Sequence, residues 1–240
     1  VALENALANA TVVLVNGPLL SGKSRLAVEY ARWVRATSTT PCPVHYVRLS
    51  AADGPASIAT RLLPHAAAAA GACAEHLRGR GGILILDQAD RLQAEVELFL
   101  ADLLRQLDGK CRTIVTARAE RLPWLPECLS VVPDALPREA RVELGQRWAH
   151  ARGACLESAN VRALLFFSGG FPGMILLLLG AAQQLVDSGA ASAEDIAEWL
   201  HSGDWDRIAD LADELGYGLP SIEVLIGELV AHLSASCDTA

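Results

Sequence analysis

Gly17-Pro18-Leu19-Leu20-Ser21-Gly22-Lys23-Ser24 is the stretch that decides how this chain reads. An apolar, β-branched run, Thr11-Val12-Val13-Leu14-Val15, leads into it. Arg25-Leu26-Ala27-Val28-Glu29-Tyr30 follows in a helical pattern. The spacing GxxxxGK[ST] between a strand and a helix is that of a phosphate-binding loop. Backbone N–H groups of such a loop and the N-terminus of its helix converge on one point, where an anion is stable. Gly17, Pro18, Leu19, Leu20, Ser21, Gly22, Lys23, Ser24 and Arg25 are therefore the candidate nucleotide-binding residues. Lys23 is placed to reach the β/γ-phosphates, and the Ser24 hydroxyl to ligate Mg²⁺. Lys23 and Lys110 are the only lysines in the chain, so the one in the loop is no by-product of a basic composition. Leu19 and Leu20 are bulkier than the Ala or Gly that many such loops carry.

Outward from the loop, apolar runs alternate with helical patterns, the signature of a parallel α/β sheet. Strands are expected at 11–16, 43–49, 82–87, 111–116 and 129–132. Helices are expected near 22–36, 57–78 and 92–107, with a short turn near 119–125. The Ala66–Ala70 run falls inside the second helix, where alanine favours helix and packs closely. Beyond Pro133 only helices are expected: 137–150, 158–168, 172–188, 193–201, 204–215 and 220–234. Pro137 and Pro172 suit the first turns of two of them. The implied organisation is an α/β nucleotide-binding core over 1–135, a helical lid over 136–190 and an acidic helical extension over 191–240. The fold class is α/β: a P-loop NTPase with a parallel sheet of about five strands flanked by helices, followed by the all-helical part.

Ile83-Leu84-Ile85-Leu86-Asp87 is a fully apolar run ending in a carboxylate. Such a strand is expected to run beside the strand of the loop and to place Asp87 where it holds Mg²⁺ through water. Gln88 follows, and Asp90 supplies a second acid. Asp90 is either a group that orients and deprotonates an attacking water or the N-cap of the next helix. Arg112-Thr113-Ile114-Val115-Thr116-Ala117-Arg118 is another buried strand with polar residues at its exit. Ligands of open parallel sheets bind beyond the carboxyl ends of the strands, which puts Thr116 and Arg118 near the γ-phosphate. Arg118 can there stabilise charge in transfer, or simply cap the strand end. Asp87, Asp90 and Arg118 are the candidate catalytic residues, and Ser24 with Asp87 the Mg²⁺ ligands.

The ordered set GPLLSGKS, ILILDQAD, TIVTAR, Leu136-Pro137-Arg138-Glu139-Ala140 and Gly169-Gly170-Phe171-Pro172-Gly173 resembles the STAND class of signalling NTPases, including its NACHT and NB-ARC types. The resemblance runs over roughly 11–185. It implies Walker A and Walker B elements, ATP or ADP with Mg²⁺ as ligands, and a lid whose Pro172 closes on the adenine. It also implies a signalling switch whose nucleotide state controls lid position and assembly, excised from a larger regulator with flanking sensor and effector domains. Two departures accompany it. The hydrophobic-Gly-Arg-Glu motif typical of the class is not found upstream, and Gln88 stands where many relatives carry an acid, which implies slow hydrolysis. A small-molecule (nucleoside) kinase is one alternative, since thymidine kinases also carry bulky residues in the loop. An AAA+-type loader or remodelling ATPase is the other. No Asn/Thr-Lys-x-Asp guanine motif is found, which favours ATP over GTP.

With 52% hydrophobic residues over 240 positions, the chain can bury a sizeable core. The net charge of −8 is uneven: 187–240 is dense in Asp and Glu, with Arg207 its single base. That acidity argues against nucleic acid as a partner there, since phosphate contacts need clustered Lys and Arg. The longest apolar stretch, around 174–182, is shorter than the roughly 20 residues a bilayer span needs, so no membrane association is expected. The six cysteines are scattered, with no CxxC pair, and read as free thiols in a reducing cytoplasm. Expected partners are the flanking domains and, depending on nucleotide, further copies of the chain.

Overall fold

Alternation along the strands sorts the apolar side chains into two layers. Ile83 and Ile85 face one side of the sheet, Leu84 and Leu86 the other, because successive side chains of a strand point to opposite faces. In chain order, the computed structural model contains α1 (Ala2–Asn9), β1 (Val12–Val15), α2 (Lys23–Thr37), β2 (Val44–Arg48), α3 (Pro55–Leu62) and α4 (Ala70–Arg80). These are followed by β3 (Ile83–Asp87), α5 (Ala94–Leu107), β4 (Arg112–Thr116), β5 (Leu129–Val131) and α6 (Arg138–Arg152). The structure describes residues 2–63, 69–152, 170–176, 179, 180, 192 and 195. The helices expected at 158–168, 204–215 and 220–234, and most of 172–188 and 193–201, lie outside them. The described residues divide between two bodies: one of 1–17 with 23–133, the other of 18–22 with the chain from Asp134 onward.

In the first body all strands run parallel, in the order β2-β3-β4-β1-β5. Val13, Val15, Ile83, Ile85 and Ile114 pack against α1 and α2. Val12, Leu14, Leu84, Leu86 and Val115 pack against α3, α4 and α5 on the opposite face, where Trp124 also anchors its loop. The expectation that β3 runs beside β1 is corrected here: β4 lies between them. Burial separates the central strands from the edge. β4 is buried from Thr113 to Thr116 and needs neighbours on both sides, whereas β2 carries half-exposed His45 and exposed Tyr46 and Arg48 and takes the edge.

Two further differences concern helices. The helix expected over 57–78 is two helices. Leu63 adopts φ −142°, the extended conformation imposed on a residue preceding proline, and α3 ends there. Ala69 is extended as well, so α4 starts only at Ala70, and 64–68 lie outside the described residues. Helix α1 was not expected, although Leu3, Ala6 and Leu7 have the helical spacing and are all buried. In the second body Pro137 precedes α6, its carbonyl accepting from Arg141 N at 3.0 Å, one position earlier than a first-turn proline. Among the described residues no helix is long and apolar enough to cross a membrane. Cys42, Cys73, Cys111 and Cys128 are free thiols, and burial pushes Cys111 up to about 11.

One pair of half-buried histidines is expected to make the first body pH-sensitive. His45 on β2 meets His76 on α4 edge-on, ring centroids 6.3 Å apart, and His45 Nε2 is buried without a hydrogen-bond partner. Burial, then the charges of His76 and Arg80, push His45 below its ordinary 6.5. The unfolded chain therefore takes up a proton near pH 6.5 that the folded chain refuses, so stability falls as pH drops below that value. Urea midpoints at pH 7.0 and 5.5 are expected to differ less in His45→Gln than in the wild-type chain.

Candidate functional site

Strand β1 is buried along its whole length, so its exit is held rigidly. Asn16 N donates to Val131 O at 3.0 Å, and Asn16 Oδ1 accepts from Ser130 Oγ at 2.6 Å. Gly17 then turns the chain with φ 136°, a region that favours glycine. At the start of α2, Lys23 is 9% exposed, and its Nζ donates to Gly17 O at 2.8 Å. The ammonium thus ties the two ends of the loop. Arg25, two residues on, is mostly exposed and pairs with Glu29 at 2.9 Å.

The tip of the loop belongs to the second body, where it meets residues 170–176. Leu20 is left-handed at φ 61° and Gly22 at φ 92°. Leu20 O accepts from Gly173 N at 3.0 Å, and a Cβ on Gly173 would lie 2.8 Å from that same oxygen. Pro172 Cγ lies 3.5 Å from where a Cβ on Gly22 would stand. The main chain of Leu20 is thus the docking point for Gly173, while Leu19 is exposed at 38%. Ser21 Oγ is buried with no hydrogen-bond partner. A buried hydroxyl left unpaired costs about 1–3 kcal/mol and is the kind of group an anion satisfies.

Asp87, at the end of β3, is 2% exposed. Its Oδ1 accepts from Ser24 Oγ at 2.6 Å and from Thr116 Oγ1 at 2.5 Å. Its Oδ2 accepts from Tyr46 Oη at 2.7 Å. Thr116 Oγ1 in turn accepts from Gln88 N at 2.9 Å. Thr116 thus bridges the gap that the inserted β4 opens between the loop and Asp87. The Ser24 hydroxyl and the Asp87 carboxylate form an all-oxygen pair, the donor chemistry of Mg²⁺, which takes one or two carboxylates and completes its shell with water and phosphate. The residues present fit that ion.

Beyond Asp87 the chain turns sharply, with Gln88 at φ 63°. Gln88 Oε1 accepts from Arg48 Nε at 3.1 Å. Asp90 is not a helix cap, since α5 begins after Gln93. Its carboxylate accepts from Arg118 N at 2.8 and 3.0 Å and from Ala119 N at 3.3 Å, and Arg118 Nε lies 3.9 Å away. Asp90 therefore holds the exit of β4, and with it Arg118. Tyr46 was missed by the sequence reading. Burial of its hydroxyl, then the hydrogen bond and charge of Asp87, raise it to about 12, so it remains a donor.

No protein-family model matches the sequence, and no curated relative does either. Solved structures do resemble it. The Holliday junction branch migration motor RuvB of Thermotoga maritima aligns with TM-score 0.59 and 18% identity, over 96% of this chain and 85% of that one. A Walker-type ATPase of Pyrococcus abyssi aligns at 0.54 and 14%, over 89% and 73%. Domain III of the replication initiation protein DnaA of Thermotoga maritima aligns at 0.53 and 17%, over 83% and 87%. The narrower STAND resemblance gains no support from these neighbours. At such identities a likeness speaks for the fold alone, which is the α/β fold of a P-loop NTPase.

Proposed function

We propose that this chain is a P-loop ATPase module that binds ATP or ADP with Mg²⁺ and hydrolyses ATP slowly. The observation that carries the reading is the meeting of Ser24 and Asp87 at 2.6 Å, at the end of a loop whose Ser21 hydroxyl lacks a partner. Gly17–Ser24 and Arg25 would cradle the phosphates, with Lys23 reaching the β/γ-phosphates. Ser24 and Asp87 would hold Mg²⁺, which supplies charge neutralisation at the transferring phosphoryl group. Arg118 would face the γ-phosphate, with Asp90 as its positioning residue rather than a base, since its carboxylate is engaged by main-chain N–H groups. Of the readings open to the sequence, the AAA+-type ATPase is supported best, because the neighbours in fold include a motor and a replication initiator.

A second reading, the STAND-type switch, is favoured by one observation: Gly170-Phe171-Pro172-Gly173 docks on the loop tip through Gly173 N and Leu20 O. In that reading 136–190 is a lid and Pro172 covers the base. One set of measurements tests both. Calorimetry is expected to show binding of ADP that strengthens with Mg²⁺, and turnover below about 1 s⁻¹, the lower end for kinases. Stimulation of turnover by DNA, together with nucleotide-dependent assembly in sedimentation, selects the AAA+-type function. Hydrogen exchange over 170–176 that changes with ADP, without DNA stimulation, selects the switch. No ADP binding at millimolar concentration sinks the nucleotide reading altogether.

A further inference from the structure

Tyr46 lies on the edge strand β2, where its neighbour across the parallel register is Ile85 and where Arg48 stands opposite Asp87. Its ring lines a cleft of about 310 Å³ with Val28, Ala31, Val44 and Ile85, and the residue is 46% exposed. A tyrosine placed for packing alone would leave its hydroxyl in solvent. Here the hydroxyl reaches Asp87 Oδ2 at 2.7 Å, the oxygen that neither Ser24 nor Thr116 engages.

We infer that Tyr46 is a positioning residue for the Mg²⁺-binding carboxylate, an inference that rests on the nucleotide reading above. A carboxylate has about four lone-pair directions. Ser24 and Thr116 take both of those on Oδ1, and Tyr46 takes one on Oδ2. One direction on Oδ2 is left for a water of the hydrated ion. With three donors from three different elements, the carboxylate cannot rotate about χ2 or exchange its oxygens. Without the Tyr46 hydroxyl, only Oδ1 is held, by Ser24 and Thr116, and the oxygen that must receive the water loses its one direct restraint. Hydrogen bonds to ligating carboxylates tune metal affinity in this way, and losing one typically costs 10–100-fold.

Tyr46→Phe removes the hydroxyl and keeps the half-exposed ring, so the fold is expected to survive, as an unchanged thermal transition would show. ADP affinity is measured by calorimetry at stepped Mg²⁺ and again in EDTA. Mn²⁺ binding to the ADP complex is followed by electron paramagnetic resonance. The Mg²⁺ concentration for half-maximal tightening of ADP is expected to rise about tenfold, at the low end of that range. The Mn²⁺ titration should shift in the same direction, while ADP affinity in EDTA remains within about twofold. A variant with the wild-type Mg²⁺ requirement overturns the inference and leaves Tyr46 as an edge-strand tether. So does a variant whose ADP affinity in EDTA falls as much as its affinity in Mg²⁺. Failure of the nucleotide reading looks different: the wild-type chain itself then shows no binding of ADP.

Discussion

Lys23→Ala is expected to weaken binding of Mg²⁺–ADP by about 2–4 kcal/mol, roughly 30- to 700-fold in Kd, the scale for truncating one partner of a desolvated charge pair. Lys23 is the first residue of α2, is largely buried and is the only cation within Gly17–Ser24. The structure also separates two effects of the substitution. The ammonium donates to Gly17 O, so its removal is expected to loosen the loop as well as the phosphate contact. Loosening alone would cost a hydrogen bond of about 1.5–3 kcal/mol in stability, and a urea midpoint measures it. Lys110, the other lysine, lies in the turn after α5, and Lys110→Ala should leave ADP binding unchanged. Equal ADP affinity for Lys23→Ala and the wild-type chain, measured by calorimetry, would remove the loop from the site.

The strands were legible because each is a short apolar run closed by a polar residue: β1, β3 and β4 fall within a residue of their expected limits. Their lateral order was not. β1, β3 and β4 are all buried apolar runs, and no local pattern says which of them become neighbours. Hence β3 was expected beside β1, and the bridging role of Thr116 went unseen. The helix over 57–78 is a different failure. Pro64 was in plain view and marks Leu63 as a helix end, but the alanine run after it outweighed the proline. Leu3, Ala6 and Leu7 likewise announced α1, in a segment too short for propensity alone to hold a helix. At the site, Ser24 and Asp87 could be brought together from two motifs 63 residues apart, because each has its own strand context. Tyr46 has no such context. It belongs to the strand next to β3, and only the pairing register sets its hydroxyl against Asp87.

Asp87→Asn is expected to abolish Mg²⁺-dependent ATP turnover, a loss of about 100-fold or more, while the fold persists. An asparagine fills the same volume, and its carbonyl oxygen can still accept from Ser24 and Thr116. Its amide nitrogen then faces Tyr46 Oη, which as a hydroxyl can turn from donor to acceptor. The substitution therefore leaves the local hydrogen bonds largely intact and removes the negative charge that the ion's water would meet. ADP binding in EDTA should stay within a few-fold of the wild-type chain, because in the proposed site the loop, and not Asp87, holds the phosphates. Gln88→Ala is the contrasting case. The Gln88 amide can orient a water but cannot take its proton, and its oxygen is already engaged by Arg48 Nε, so turnover should change only a few-fold. Steady-state phosphate release at saturating Mg²⁺ distinguishes the two. If Gln88→Ala proved the more damaging substitution, the water-activating group would lie at the turn after β3, and the role of Asp87 would shrink to fixing Ser24 and Thr116.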